Sequence, residues 1–327
     1  RVSVPLSPGL QHLSPDLYEP DAWTLGQGAT DSLVTLRRGK RFACAWSTGS
    51  ATFSAKEAKG WEMFRKVPLS EVHRSELNGS GKVPSLRAKR SIPKVIHQIF
   101  LGGEVSDRLS ENVEDLKSRN KDFQHILWNN ERARDFIADE YGKEILAKFD
   151  SINPQYGAAR ADLLRYLCVY KMGGVYLDIK SNAWEPLSNI LTDDDAYILS
   201  YWDHSIKKFR RMGKHAAISH VPHGEYQQWH VISAAGHPYL QSVINRVLHG
   251  ISHYDPGMHG VGKPGVLRIT GPIAYTLAIS RILDDHRHRF VEGQVVGLRY
   301  KTVEQFKQNF SVHYSDLRTP VIRAALA

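Results

Sequence analysis

ARADLLRYLCVYKMGGVYLDIK, residues Ala159–Lys180, decides how this chain is read. Apolar residues recur at helical spacing through Met172, and Gly173-Gly174 then supplies the unhindered backbone that a helix exit needs. Val175–Leu177 reads as a short buried strand ending on an acid, Asp178, and the helix before it carries a second acid, Asp162. Open α/β sheets build nucleotide sites at the carboxyl ends of their strands, so this juxtaposition points to a bound nucleotide.

Working outward, the flanks keep the same alternation. Lys94–Phe100 (KVIHQIF) reads as a first buried strand, Arg108–Arg119 as a helix and Gln124–Trp128 as a second strand. Glu131–Tyr141, Lys143–Phe149 and Ala158–Met172 read as helices. Ala196–Trp202 and Val231–Ala234 read as strands, with helices over Tyr239–Leu248 and Pro272–Leu283. Alternation of this kind predicts an α/β fold: one Rossmann-type sheet flanked by helices, preceded by an N-terminal extension. Asp255–Gly271 holds five glycines and two prolines and is expected to be irregular. Val295–Leu298 and Ser311–Tyr314 read as short late strands.

Leu77–Lys94 has the Gly, Ser, Pro and basic residues of a linker or exposed loop, which sets the expected division at 1–90 and 91–327. Inside the first part, Leu33–Leu36 and Arg41–Trp46 read as a β-hairpin.

The chain has 327 residues, 42% of them hydrophobic and 24% charged, the composition of a folded globular protein. A net charge of +9 favours an anionic partner, although a solubilising surface explains it as well. No nucleic-acid reading motif or interleaving of basic and aromatic residues is present, so nucleic acid is not the expected partner. Two cysteines, Cys44 and Cys168, exclude a disulfide framework or a cysteine zinc site, and Cys168 reads as a buried inert thiol. The irregular spacing of His220, His223, His230 and His237 argues against a zinc site too. No window approaches a membrane span. The chain opens on Arg1, which implies removed upstream residues, and a membrane anchor is expected only there. The compartment would be the Golgi lumen for a trimmed eukaryotic protein and the cytoplasm otherwise.

Asp162 and Arg165 stand three apart on one helix and are neighbours, as in an ordinary ion pair. Beside the Gly-Gly-strand-Asp element they can also hold a sugar hydroxyl and a phosphate, the latter through the planar arginine fork. Two carboxylates separated by one residue would point to the same side and hold Mg²⁺ or Mn²⁺ against a diphosphate. Here the second position is Lys180, which cannot ligate a metal but can neutralise a diphosphate directly. Lys207, Lys208, Arg210, Arg211 and Lys214 form a basic run, either a solvated face or a receiver for an acidic acceptor. Asp193-Asp194-Asp195 reads as a cap or turn. His313 is a candidate ligand to metal or diphosphate, and equally an ordinary packed or solvated histidine.

The segment from Ile92 to about Pro186 resembles the sugar-binding region of family-32 glycosyltransferases. That group includes yeast-type Golgi mannosyltransferases, α-1,4-galactosyltransferases and bacterial polysaccharide enzymes, and is distantly similar to clostridial glucosylating toxins. The opening strand of the family stands here as Ile92-Pro93-Lys94-Val95-Ile96-His97-Gln98-Ile99-Phe100. Its helix and strand signature stands as Ala161-Asp162-Leu163-Leu164-Arg165-Tyr166 and Gly173-Gly174-Val175-Tyr176-Leu177-Asp178-Ile179-Lys180. Gly236-His237-Pro238 and Thr270-Gly271-Pro272 match more loosely, so the resemblance covers roughly residues 92–285.

The resemblance implies a GT-A fold, a UDP- or GDP-sugar donor, a glycan or other hydroxyl acceptor, and transfer with retention. It places His97, Gln98, Ile99 and Phe100 against the nucleotide, with Arg165, Tyr166, Gly174 and Tyr176 also on the donor. Asp162, Asp178 and Lys180 become the catalytic candidates, and Asp178 with His313 the metal candidates for Mn²⁺ or Mg²⁺. Apart from the resemblance, the glycines of Asp255–Gly271, with His259, Lys263 and Arg268, suit a closing lid over phosphates or an ordinary long surface loop. The family carries Asp where this chain has Lys180, which leaves three readings open: a metal held otherwise, a lysine in its stead, or a module that binds without turnover.

Overall fold

The structure is a computed structural model; it describes residues 82–219, 221–292, 296–303 and 314–323, together with five strands nearer the N-terminus. Two compact units are present, Arg1–Ser80 with Tyr254–Gly260, and Gly81–His253 with Val261–Ala327.

In the first unit β1 (Thr24–Gln27), β2 (Leu33–Arg38), β3 (Arg41–Ala45), β4 (Ala51–Ala55) and β5 (Met63–Arg65) form an antiparallel sheet. The expected hairpin is there as β2 and β3, paired through Arg37↔Phe42 and Arg38↔Arg41. β2 runs two residues past the expected Leu36, and β3 ends at Ala45, one short of the expected Trp46.

The second unit is built on a six-stranded mixed sheet in the order β12-β10-β11-β8-β6-β7. Its parallel centre is β6 (Val95–Ile99) between β7 (Gln124–Trp128) and β8 (Gly174–Leu177). β11 (His230–Ser233) runs antiparallel to β8 and to β10 (Tyr197–Leu199), and β12 (Arg289–Phe290) closes the edge parallel to β10. The α/β reading is borne out. α1 (Asp107–Arg119), α2 (Asn130–Ser151) and α3 (Gly157–Met172) fall where the sequence places helices. Within α2 the two expected helices are there, divided at Gly142, whose φ of 81° breaks the helical path between them.

Side chains alternate across the sheet. Ile96, Val175, Ile232 and Ile198 lie in register on one face and form a core with Leu116 of α1. His97 and Tyr176 occupy the other face, against which α3 packs. α3 is buried almost all round because α2, α5 (Pro238–Ser252) and α7 (Gly262–Ile269) enclose it. Burying each of its leucines contributes about 1.5–3 kcal/mol.

Gly174 could be no other residue. Its φ is +105°, and a Cβ there would sit 2.5 Å from the Val95 carbonyl oxygen on the neighbouring strand. The Gly-Gly pair is therefore a requirement of close strand approach as well as a helix exit.

One expectation is corrected. Asp255–Gly271 is not irregular: it contains α6 (Pro256–His259) and α7. Asp255 caps α6 through the Gly257 and Met258 amides, Pro256 opens it, and Gly260 (φ 81°) ends it, so the breakers serve as punctuation. The stretch from Lys82 to Lys94 has no helix or strand and is mostly exposed, as expected of a loop, and it is tied to the rest of its unit. Val83 N–H donates to Asn245 Oδ1 at 3.0 Å, Tyr170 Oη bonds both Leu86 N–H and the Pro84 carbonyl, and Lys89 N–H reaches the Ala235 carbonyl.

α4 (Leu187–Ile190) follows β9 (Asn182–Ala183), which pairs with β13 (Leu298–Arg299); α8 (Pro272–Ser280) completes the helices. β13 begins at the last residue of the expected strand 295–298, of which Val295 lies outside the described residues. Of Ser311–Tyr314 only Tyr314 is described, and it begins a 3₁₀ turn, Tyr314–Asp316. His313, like His220, lies outside the described residues. Among the described residues no helix is long and apolar enough to cross a membrane.

Candidate functional site

Alternation along β8 carries Tyr176 and then Asp178 to the α3 face of the sheet, at the carboxyl end of the strand. Asp162 and Arg165, one helical turn apart on α3, face them. Arg165 is the hub. Its Nη2 lies 3.1 Å from Asp162 Oδ1 and 3.3 Å from Asp178 Oδ1, and its Nη1 donates to the Gln228 carbonyl at 2.7 Å. The guanidinium also stacks 4.6 Å over the Tyr176 ring. Tyr176 Oη donates to Asp178 Oδ1 at 2.7 Å, and the Asp178 N–H donates to the Trp229 carbonyl, also at 2.7 Å.

The two acids differ in exposure. The Asp162 side chain is 5% exposed and that of Asp178 34%, so Asp178 presents the cluster to a ligand. Asp162 accepts from Thr270 Oγ1 at 2.9 Å and Gln228 Nε2 at 3.3 Å. Burial pushes its carboxyl up to about 6 against the opposing pull of Arg165 and Thr270. Burial works against the charge of Arg165, but the tyrosines and carboxylates around it prevail and raise its value. Tyr166 bonds Gln228 Oε1 and the Thr270 carbonyl and stacks on Tyr275, and burial holds its phenol well above the usual range.

The turn after Asp178 is fixed from two sides. Asn112 of α1 donates to the carbonyls of Ile179 (2.9 Å) and Ser181 (3.0 Å). Thr302 Oγ1 donates to the Lys180 carbonyl at 3.0 Å, and Val303 N–H reaches the same oxygen at 3.3 Å. Lys180 is half-buried; burial, then the charge of Lys301, lowers its ammonium, with Asp178 opposing. Tyr300 packs on Trp229 and Trp202 and closes one wall. Burial raises the Tyr314 phenol to about 12, helped by the charges of Asp162 and Asp178.

The strand β6 residues stand apart from this group. His97 has no exposed surface: Trp128 Nε1 donates to its Nδ1 at 3.2 Å, which leaves Nε2 to donate to the Gly173 carbonyl at 2.9 Å. Burial lowers its value to about 4, so it is neutral. Gln98 points to the opposite face and bonds His125 at 2.9 Å, while Ile99 and Phe100 are buried. His237 caps α5, accepting from the Tyr239 amide. Lys263 is exposed in the first turn of α7, about 10 Å along the helix from Thr270. Asp195 is buried against Arg289 and the Thr192 amide, the turn role expected of it. The basic run around Phe209 is exposed as a solvated face would be.

A metal fits this donor set poorly. Hard divalent cations take several oxygen ligands, whereas among the described residues Asp178 is the one carboxylate at the strand end, and it shares an oxygen with Tyr176 and Arg165. No group of three or more His, Cys, Asp or Glu that could hold an ion occurs among the described residues. A cleft of about 550 Å³ lined by Trp128, Arg132, Glu140 and Lys171 is separate from the acid cluster, and Lys171 pairs with Glu140 inside it.

Thr270, Gln228, Trp229, Asn112, Tyr300 and Lys301 are the site residues that sequence reading missed. Thr270 alone left a trace, in the Thr-Gly-Pro triplet.

Residues 106–197 match the family described as glycosyltransferase sugar-binding region containing DXD motif. Inositol phosphoceramide mannosyltransferase 3 of Schizosaccharomyces pombe is 36% identical over 89 residues, 27% of this chain and 24% of that protein. Inositol phosphoceramide mannosyltransferase 2 of the same yeast is 27% identical over 164 residues, 50% of this chain and 40% of that protein. The chain thus spans well under half of either relative. The solved PaToxG glycosyltransferase aligns over 66% of this chain and 80% of its own, with 15% identity and a TM-score of 0.40. The segment 106–197, which holds Asp162, Arg165 and Asp178, is a glycosyltransferase sugar-binding region of the DXD-motif family.

Proposed function

We propose that this chain is the core of a nucleotide-sugar-dependent hexosyltransferase of GT-A type, transferring with retention to a hydroxyl of a glycan or lipid-linked acceptor. The observation that carries the proposal is Arg165 bonded to both Asp162 and Asp178, with Asp178 open at the carboxyl edge of the sheet. In that place Asp178 orients the donor near its ribose and diphosphate, Asp162 meets a donor-sugar hydroxyl, and Arg165 locks both acids in register. The sugar C1–O bond to the diphosphate breaks as the acceptor oxygen bonds C1, and the leaving diphosphate takes the acceptor proton. Charge gathers on that diphosphate, so fixed cations beside it supply the main stabilisation.

The names of the relatives make mannose and a phosphoinositol sphingolipid the first donor sugar and acceptor to try. A thermal-shift screen of UDP- and GDP-sugars is the test, since a ligand bound only by the folded chain raises its apparent stability. Asp178→Ala is expected to abolish the shift; an undiminished shift in that variant sinks the assignment. Lys180 also supports a second reading, a binding module without turnover. Donor binding with no release of nucleotide across hydroxyl acceptors would select it.

A further inference from the structure

We propose that Lys180 and Lys301 form a paired-ammonium cradle for the donor's diphosphate, in the role a divalent ion takes on a two-carboxylate motif. This rests on the donor reading above. The segment carrying Lys301 is stitched to the turn carrying Lys180: Lys301 N–H donates to Ser181 Oγ at 3.2 Å, and Thr302 and Val303 both bond the Lys180 carbonyl. Asn112 ties the two together, accepting from Thr302 at 2.8 Å while donating to Ile179 and Ser181.

Lys301 is held at φ 52°, a left-handed backbone that non-glycine residues seldom adopt. Its Nζ lies 5.0 Å from the centre of the Tyr300 ring. Tyr300 in turn packs 5.5 Å from Trp229, whose carbonyl anchors the Asp178 amide. The Lys301 ammonium is therefore placed on the wall beside the Asp178 strand end, near enough for Lys180 to feel its charge.

Arg165 is set against Asp162 and Asp178, and Lys180 and Lys301 add two ammonium groups on the segments beside them. An aspartate at 180 would place a second carboxylate there, the donor that takes a divalent ion. Ammonium groups bind phosphate as compact point charges with rotatable donors, so two of them span the oxygens of a diphosphate without fixed coordination geometry.

The experiment measures binding of UDP, GDP and inorganic pyrophosphate by thermal shift and titration calorimetry, in EDTA and in Mn²⁺. The proteins are the whole chain and its Lys180→Ala, Lys301→Asn and Lys301→Arg variants; asparagine tolerates the backbone at 301. Melting without ligand checks the fold of each. Expected is binding in EDTA that Mn²⁺ does not strengthen, weakened at least tenfold by Lys180→Ala and by Lys301→Asn and retained by Lys301→Arg. Binding that needs Mn²⁺, or is unchanged in Lys301→Asn, overturns the cradle and leaves the donor reading intact. If the wild-type chain binds none of the three probes under either condition, both fall together.

Discussion

The Thr270 hydroxyl donates to Asp162 Oδ2 at 2.9 Å across 108 residues of sequence. This bond ties the end of α7 to the centre of α3 and holds a buried acid in its charged form. Thr270→Val keeps the shape and removes the donor. The expected cost is about 1–3 kcal/mol of stability, read by urea unfolding at neutral pH. The Asp162 carboxyl should move further up from about 6, since the lost bond favoured its ionised state.

The stability of the fold should fall steeply in acid. His97 and His237 are lowered to about 4 and His230 to about 3, chiefly by burial, so each resists a proton that the unfolded chain takes up near 6.5. Their stabilising contribution is present above 6.5 and lost as pH drops toward 4. Asp162 has the opposite sign: its raised value gives stability below 3.8 that disappears as pH rises through about 6. Near pH 5 three protons are taken up and one released on unfolding, a net slope of about 2–3 kcal/mol per pH unit. Asp162→Asn removes the opposing proton and should steepen the slope. Urea unfolding from pH 4.5 to 6.5 measures it, and a flatter profile in that variant contradicts the assignment.

How much of this was legible in the sequence follows from contact distance. Asp162, Arg165 and Asp178 lie within 17 residues and are joined by helix period and strand alternation, so their meeting could be read directly. Gln228, Thr270 and Lys301 reach the same place from 50 to 123 residues beyond Asp178, and no periodicity encodes that. The glycines of 255–271 misled because composition counts breakers without revealing that Asp255 and Pro256 start a helix and Gly260 ends it. His97 stands in a readable motif, yet its ring faces the core because β6 is central and covered on both faces. The sheet supplies that burial.

Gly174→Ala should be severely destabilising. The added Cβ meets the Val95 carbonyl at 2.5 Å in a backbone with φ +105°, so both sterics and conformation oppose it. A loss of roughly 3 kcal/mol or more is expected, visible as a large fall in the urea midpoint. An ordinary Gly→Ala effect below about 1 kcal/mol would show that β8 and β6 are further apart than described.

Asn112→Ala removes both donors to the turn that carries Lys180 and the acceptor for Thr302. The expected cost is roughly 2–4 kcal/mol, since buried carbonyls are left unsatisfied. Nucleotide affinity should fall with it, although Asn112 itself touches no ligand. Hydrogen exchange at Ser181 and Val303 tests the cause: their amides, bonded to the Asp178 and Lys180 carbonyls, should exchange faster than in wild type.

The strap of residues 82–94 has a mechanical consequence. By gripping Tyr170 at the rear of α3 and Asn245 on α5, it immobilises the helix that bears Asp162 and Arg165. A change in the strap, although it lies away from the acid cluster, is therefore expected to reach that cluster through α3, which makes 82–94 a remote handle on the geometry of Asp162 and Arg165.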